Sequence, residues 1–441
     1  MLPSVRVVVL NYNGGDLVLR CIESLRKTDW PADRLDIVVV DNASTDGSAE
    51  YLNRTFDDIT VMFNTHNDGF PANNLAMRSI DDHAYVALVN PDTTVDPGWL
   101  RPLVETMEAD EALGGACPRL LLEPRFVDVA IDAPTHRAPG DDRDLGVRLT
   151  GVRVDGVDRI RHLQVVENGW GAELSGAGRH HWLSNDAVVA VPLDPEATAP
   201  SKVEVQLVVD PPKDVRVGST VVHVDDAPEW FEVDVEGEPY DVVNNAGSLL
   251  VEGGWGADRG LGERDGPEYD EPRDVFAWCG GGVLLRSTYL RDVGLFDERF
   301  FLYYEDTDLS WRGRAQGWNY RYVPDSLIRH VHAASTVEGS SMFVHFVERN
   351  RLLMLAKNAP VEFASRAYLR FVLSTLGIAR EQIVRPLMRG SRPDLTTVLR
   401  RIRAFVAAVS LLPYAASQRR RLRRAQVVDD ATLLAWQVPQ P

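Results

Sequence analysis

The chain has 441 residues, enough for two or three packed units and too many for one average domain. Hydrophobic residues make up 44 % and charged residues 25 %, the balance of an ordinary folded protein, which excludes a mostly disordered chain. A formal charge of −18 argues against nucleic acid as the main partner, because phosphate contacts need clustered Lys and Arg.

The opening MLPSVRVVVLNYN lacks a basic segment followed by a long apolar core and a small-residue cleavage site, so no signal peptide is expected. Three widely spaced cysteines, Cys21, Cys117 and Cys279, indicate neither a disulfide framework nor a zinc site, and the expected location is the cytoplasm. Short apolar runs then alternate with helical patterns. Strands are expected at Val5 to Leu10, Leu35 to Val40, Thr60 to Asn64 and Ala84 to Val89. Helices are expected at Gly15 to Lys27, Gly47 to Asn53 and Ala72 to Ile80. Strands separated by helices at this spacing form βαβ units on a parallel sheet, and such sheets bind ligands at the carboxyl ends of their strands. Asn11, Asp41, Asn90 and Asp92 all sit just past a predicted strand end.

From about Arg125 the texture changes to apolar/polar alternation with Gly, Pro and Asp turns, as in VRLTGVRV, KVEVQLVV and WFEVDV, and it lasts to about Asp241. The expected architecture is an α/β domain in two parts, 1–124 and 242–359, interrupted by a β-sandwich-like insertion at 125–241. In the insertion Trp170, Trp182 and Trp230 could stack on sugar rings, although packing in a sandwich core is the commoner fate of Trp. Residues 360–441 read as a basic helical region. From Arg366 to Arg424 there are fourteen Arg against Glu381 and Asp394 alone, a local charge of +12. The apolar run Phe405 to Ala416 is too short for the roughly 20 residues that span a bilayer, so this region is expected to lie on a membrane and not to cross it. Phe371, Leu373, Leu376, Ile383, Phe405, Val406 and Val409, flanked by Arg, are its expected lipid-facing residues; the alternative is a bundle packed on the α/β domain with a solvated Arg face.

Two segments concentrate the chemistry. In LVNPDTTVDPGWL, Asp92 stands at a Pro-preceded strand end, before a helix expected near Pro97, and offers one hard oxygen to a divalent metal. In GLFDERFFLYYEDTDLSWR, four carboxylates lead into a helix expected over Asp308 to Gln316. Thr307 or Asp308 is the expected cap, and Glu305 and Asp306 lie just ahead, able to face a cleft and raise each other's pKa. After a short strand, Tyr320 to Pro324, come His330 and His332, which point to opposite sides if extended; His330 is the preferred metal ligand. Earlier, Asp46 reads as a cap, and Asp41 as a nucleotide contact with a turn cap as the alternative.

The segments VVVLNYNGGDLVLRCIESL, VVVDNASTDGS, NDGFPANNLA, LVNPDTTVDPGWL, NNAGSLL, GADRGLGERD, DVFAWCGGGVLLR, GLFDERFFLYYEDTDLSWR and ERNRLLMLAKNAP, in order on both sides of the insertion, together resemble the family-two glycosyltransferases. Among these they resemble the bacterial rhamnosyltransferase-like members of cell-wall and polysaccharide synthesis. The resemblance implies a GT-A (Rossmann-like) nucleotide-diphospho-sugar transferase domain with Mg2+ or Mn2+ as cofactor. It implies a nucleotide-sugar site at Asn11, Asn13, Asp41, Asn42, Asn67, Gly69, Asn74 and Asn90, with Asp41 toward the base. Asp92 and His330 would hold the metal, Asp306 with Glu305 would supply the base, and Trp278, Gly280 and Gly281 would lie on the acceptor side. Asn90-Pro91-Asp92 has one carboxylate fewer than the family's Asp-x-Asp, which gives His330 more weight. The implied reaction is inverting transfer of rhamnose or another hexose to a glycan or polyprenyl-linked acceptor on the inner face of the cell membrane. A lapsed sugar-binding protein and a nucleotidyltransferase are the competing classes.

Overall fold

The computed structural model describes residues 2–137, 142–175, 178–198, 202–235, 237–331 and 340–439. Two compact units result: Met1–Leu121 with Val243–Pro441, and Leu122–Val242.

The first unit is built on strands β1 (Val5–Asn11), β2 (Leu35–Asp41), β3 (Ile59–Phe63), β4 (Tyr85–Val89), β5 (Leu113–Leu122), β6 (Gly282–Arg286) and β7 (Asn319–His330), in the spatial order β7-β5-β6-β4-β1-β2-β3. β1 to β4 are parallel, with Val5 opposite both Leu35 and Tyr85, while β6 runs antiparallel to β4 and β5. Their unbroken apolar runs are what a strand buried on both faces requires. Side chains alternate across the sheet. Val5, Val7 and Val9 therefore pack against helices α1 (Gly15–Leu25) and α3 (Leu100–Ala109), through Val18, Ile22, Leu103 and Met107. Between these two in the chain lies α2 (Ser48–Thr55). Val8, Val38 and Val40 face the other way, into a core shared with Met77 and with Tyr289 and Leu309 of helices α4 (Ser287–Val293) and α5 (Glu305–Ala315).

Two local readings are corrected. β7 does not stop near Pro324 but runs on to His330, because its last residues pair with a short strand, Thr93–Val95. Helix α5 begins at Glu305, not at Asp308, with Tyr304 as its cap.

Helices α6 (Ser341–Asn358), α7 (Val361–Ala379), α8 (Thr396–Ser410) and α9 (Leu412–Ala425) complete this unit, and among the described residues no helix is long and apolar enough to cross a membrane. Phe371 is buried and stacks on Phe405 at 5.6 Å, so these two rings hold α7 to α8 and do not face lipid as expected. α7 continues through a π-turn, Arg380–Val384, into Arg385–Met388. Pro386 lacks the N–H that an α-helix would send to the Gln382 carbonyl; that oxygen accepts from Asp394 N instead, at 3.0 Å.

The second unit is all β. Among the described residues it is one connected antiparallel sheet of ten strands packed on an aliphatic core. The long strand Gly178–Leu193 makes the sheet continuous: His181–Leu183 pair with Val147–Leu149, and beyond a bend at Asp186 (φ 49°) residues 187–193 pair with Arg125–Ile131. Trp170, Trp182 and Trp230 are half-buried, each under an arginine: Arg143, Arg148 and Arg153, at 5.5, 5.5 and 4.0 Å.

Candidate active site

At the carboxyl ends of β1 and β2, polar residues tie the loops together. Asn11 is fully buried; its Nδ2 donates to Asp41 Oδ1 and Ser48 Oγ, both at 3.0 Å, and its Oδ1 accepts from Gly14 N at 3.1 Å. Asp41 Oδ2 accepts from Ser44 N at 3.1 Å, and Asn13, at φ 52°, accepts from Thr45 N at 2.7 Å. Asp46 accepts from Ser48 N at 3.0 Å and so holds the start of α2; burial opposes its charge, but the Ser48 hydroxyl and neighbouring N–H groups together keep its carboxyl below the usual range. Asn42 bonds to the Asn67 side chain, Gly69 O, Asn64 and Asp68 N. Asn74 spans 222 residues to bond both the N–H and the C=O of Phe296. Asn67 and Asn74, with Asp68, Arg78, Glu298 and Phe301, line a cleft of about 360 Å³ that neither Asp92 nor Asp306 borders. Gly69 stands at φ +69°, where a Cβ would meet Phe301 O at 1.9 Å; only glycine lets this loop touch the turn before α5.

Asp92 and His330, 238 positions apart, meet because His330 is opposite Thr93 in the strand pair and Val331 N donates to Asp92 O at 2.9 Å. Asp92 Oδ1 is 3.1 Å from His330 Nε2, and His330 Nδ1 is 2.8 Å from Asn244 Oδ1. An amide oxygen only accepts, so Nδ1 donates to Asn244, and Nε2 faces the carboxylate as a second donor or, in the neutral ring, as a lone pair. A carboxylate and an imidazole lone pair that converge, the ring oriented by an outer amide, suit a divalent cation that takes its remaining ligands from a diphosphate. Among the described residues no group of three His, Cys, Asp or Glu forms a complete protein cage, and His332 lies outside the described residues.

The base region is made by a strained turn. Phe301, Tyr303 and Tyr304 hold φ of 65°, 67° and 68°, a region L-residues avoid, just ahead of Glu305. Asn350 of α6, which the sequence reading left without a role, holds this turn by donating to Phe300 O, Leu302 O and Tyr303 O at 2.9, 2.7 and 2.8 Å. The two carboxylates part there. Glu305 turns inward with Oε2 unpartnered among the described residues, and burial, reinforced by Asp306, pushes its carboxyl well above the usual range. Asp306 stays partly exposed; it accepts from Thr307 N at 2.5 Å and Gly280 N at 3.3 Å. Burial, with the charge of Asp258 adding to it, raises Asp306 to about 6. Asp258, also missed, is held by Asn245 and by Ser248 Oγ at 2.5 and 3.3 Å.

Asp308 is not the cap. It is fully buried, 3.0 Å from Arg312 Nε, 2.9 Å from Lys357 Nζ and 2.8 Å from Asn358 Nδ2. Burial opposes its charge, but Lys357 and Arg312 hold its carboxyl below the usual range. It fastens α5 to α6. Trp278 is likewise no acceptor contact: its ring is fully buried against Phe296. Gly280 N donates to Asp306 and Gly281 O accepts from Asn90 N at 3.1 Å, so this glycine pair joins the strand end that carries Asn90 and Asp92 to the helix start that carries Asp306.

A model of glycosyl transferase family 2 matches residues 6–126, and a model of glycosyl transferase family group 2 matches residues 259–417. N-acetylglucosaminyl-diphospho-decaprenol L-rhamnosyltransferase of Mycobacterium tuberculosis is 34 % identical over 117 residues, 26 % of this chain and 38 % of that protein. Glycosyltransferase AglE of Haloferax volcanii is 24 % identical over 110 residues, 24 % of this chain and 36 % of that protein. The matches thus span little more than a third of these relatives. Similar solved structures include GalNAc-T7 with UDP, GalNAc and Mn2+ (13 % identity, 81 % of this chain, 50 % of that chain, TM-score 0.43). Another is the mannosyltransferase PcManGT from Pyrobaculum calidifontis with GDP-Man and Mn2+ (15 % identity, 99 % and 79 % coverage, TM-score 0.39). The sheet order, four parallel strands followed by an antiparallel β6 inserted beside β4, is that of the GT-A fold. The chain belongs to the family 2 glycosyltransferases.

Proposed function

We propose that this chain is an inverting glycosyltransferase that moves a sugar, rhamnose or another hexose, from a nucleotide-diphosphate donor to a glycan or lipid-linked glycan at the inner membrane face. The observation that carries this reading is the glycine pair that brings the Asn90/Asp92 strand end and Asp306 to one place. Asn11, Asp41 and the loops they brace form the nucleotide side. Asp92 and His330 are the residues that would hold Mg2+ or Mn2+, which when bound neutralises charge developing on the leaving diphosphate. Asp306 takes the proton from the attacking acceptor hydroxyl at Oδ1 or Oδ2. With its pKa raised to about 6 it is largely ionised at neutral pH yet more basic than an ordinary aspartate. Glu305 is turned inward, with burial pushing its carboxyl above the usual range, and serves no nucleophilic role; a single displacement inverts the sugar carbon, without the paired carboxylates of a retaining glycosidase.

The test is a panel of nucleotide sugars, with and without Mn2+, in which ligand-induced thermal shift reports binding and released nucleoside diphosphate reports transfer. Asp306→Asn is expected to keep the shift and lose the release, and Asp92→Ala to lose both. Release of pyrophosphate would point to a nucleotidyltransferase, and binding without turnover by the wild type to a lapsed enzyme. Full turnover by Asp306→Asn would remove the base assignment.

A further inference from the structure

The sign of the charge changes along this chain, and the helices that carry the change leave an apolar face without a partner. On α7 the buried residues Ala364, Ala367 and Phe371 mark the packed side; Leu369, Leu373 and Leu376 stand exposed on the opposite side. On α8 the buried residues are Val398, Ala404 and Ala408, and Leu399, Ile402 and Val406 are exposed, Val406 at 60 %. Both stripes recur at three- and four-residue intervals, the spacing of one helix face. Between the helices the hairpin tip carries Met388, 82 % exposed. A soluble surface seldom strings large apolar residues together in this way, and such a patch marks a docking site.

The charge around the patch identifies what covers it. Of the fourteen arginines between 366 and 424, Arg401, Arg419 and Arg423 are spent on internal bonds, to Glu348, to the Ala356 and Ala359 carbonyls and to Asp430. Arg370, Arg380, Arg389, Arg392 and Arg403 are exposed along α7, at the tip and on α8, while Arg366 pairs with Glu362. The two acidic residues of this stretch do not offset them, since Glu381 pairs with Arg385 and Asp394 caps α8 through Thr396 N at 2.8 Å. A cationic rim around an apolar stripe on a chain of net charge −18 complements a surface that is negative at the rim and apolar beneath: an anionic phospholipid interface. A second copy of the chain would bring like charge against like.

We infer that α7, the hairpin tip and α8 form an interfacial membrane anchor that lies on anionic lipid without crossing it. This deepens the lipid-linked reading of the acceptor and rests on it. Helix α6 connects anchor and site: near its middle Glu348 pairs with Arg401 of α8, and at its C-terminal end Lys357 and Asn358 hold Asp308 of α5. The helix that presents Asp306 is thereby braced on the same helix that seats the anchor.

The experiment uses the full chain and vesicles of phosphatidylcholine, with or without phosphatidylglycerol, in sedimentation. Binding is expected to the mixed vesicles only and to weaken as salt rises. Arg389→Gln with Arg392→Gln lowers affinity about fivefold per arginine. Leu376→Glu with Met388→Glu, both at exposed positions, lowers it tenfold or more. Val221→Glu, at an exposed apolar position in the insertion, leaves it unchanged. Absence of wild-type binding to either vesicle, or equal binding by the Leu376/Met388 variant, overturns the inference. So does a concentration-dependent dimer that this variant abolishes while vesicles are ignored. Nucleoside diphosphate release onto a water-soluble acceptor is followed in parallel and stays at the wild-type rate in every anchor variant; if the wild type shows no release, the catalytic reading fails while the vesicle result still decides the anchor.

Discussion

Asp306→Asn has a consequence for the fold as well as for turnover. The wild-type carboxyl rises from 3.8 to about 6, chiefly through burial, with Asp258 adding to it and the Thr307 and Gly280 N–H groups opposing. Because the folded pKa lies above the unfolded one, the folded state holds a proton between about pH 4 and 6 that the unfolded chain has lost. Stability from this group therefore declines as pH climbs through that window and stays low above it. At about 1.4 kcal/mol per pKa unit, the ionised residue costs the fold about 3 kcal/mol at pH 8. Asparagine has the same shape and no charge, but its amide accepts less strongly from the two N–H groups, which offsets about 1 kcal/mol. Asp306→Asn is thus expected to be more stable than the wild type by about 2 kcal/mol at pH 8 and nearly equal to it at pH 4.5. Guanidinium titrations of both proteins, followed by tryptophan fluorescence at the two pH values, read this difference. A gap that is the same at both would refute the account of Asp306 as a partly buried, destabilised carboxylate.

Transfer should fall as pH is lowered through about 6, since Asp306 must be ionised to accept a proton, and Asp258→Asn should move that midpoint down, as read from the pH profile of kcat/KM. Gly69→Ala places a methyl on the Phe301 carbonyl and strains a positive φ, so destabilisation of about 3 kcal/mol or more is expected in denaturant melts. Asn350→Ala removes a donor from each of three carbonyls of the strained turn, of which Phe300 O keeps Arg349; about 2 kcal/mol of stability should go, and kcat should drop while donor binding measured by thermal shift holds.

Much of the frame is legible from local pattern. Valine runs and the Asn, Asp and Gly residues that end them mark β1, β2 and β4, because a strand buried on both faces leaves an unbroken apolar run. What pattern misses is set by distant partners. Asp308 looks like a cap until Lys357 and Asn358, some fifty positions on, claim it; helix α5 starts early because Asn350 imposes a turn that Tyr303 and Tyr304 would not adopt by preference. The apolar period of α7 and α8 is plain in the sequence, yet which face turns inward is decided by packing, so Phe371 and Phe405 go into the core while Leu369, Leu399 and Ile402 stay out. Asp92 and His330 are suggestive residue types, but only a strand pair closing over 238 positions makes them neighbours.

The β-rich insertion begins and ends at a single point. Leu121 is paired with Val243 in the antiparallel register, Leu122 N bonds Val242 O at 2.8 Å, and Phe126 and Tyr240 exchange hydrogen bonds of 2.8 and 2.9 Å. Topologically the whole unit is therefore the loop of a hairpin. Replacing residues 123–241 by a two-residue turn of the Asn-Gly kind asks nothing new of the strands that flank it. The unit is therefore expected to tolerate removal, exchange for a reporter domain or opening to new chain ends, with the framing strand pair as its closure.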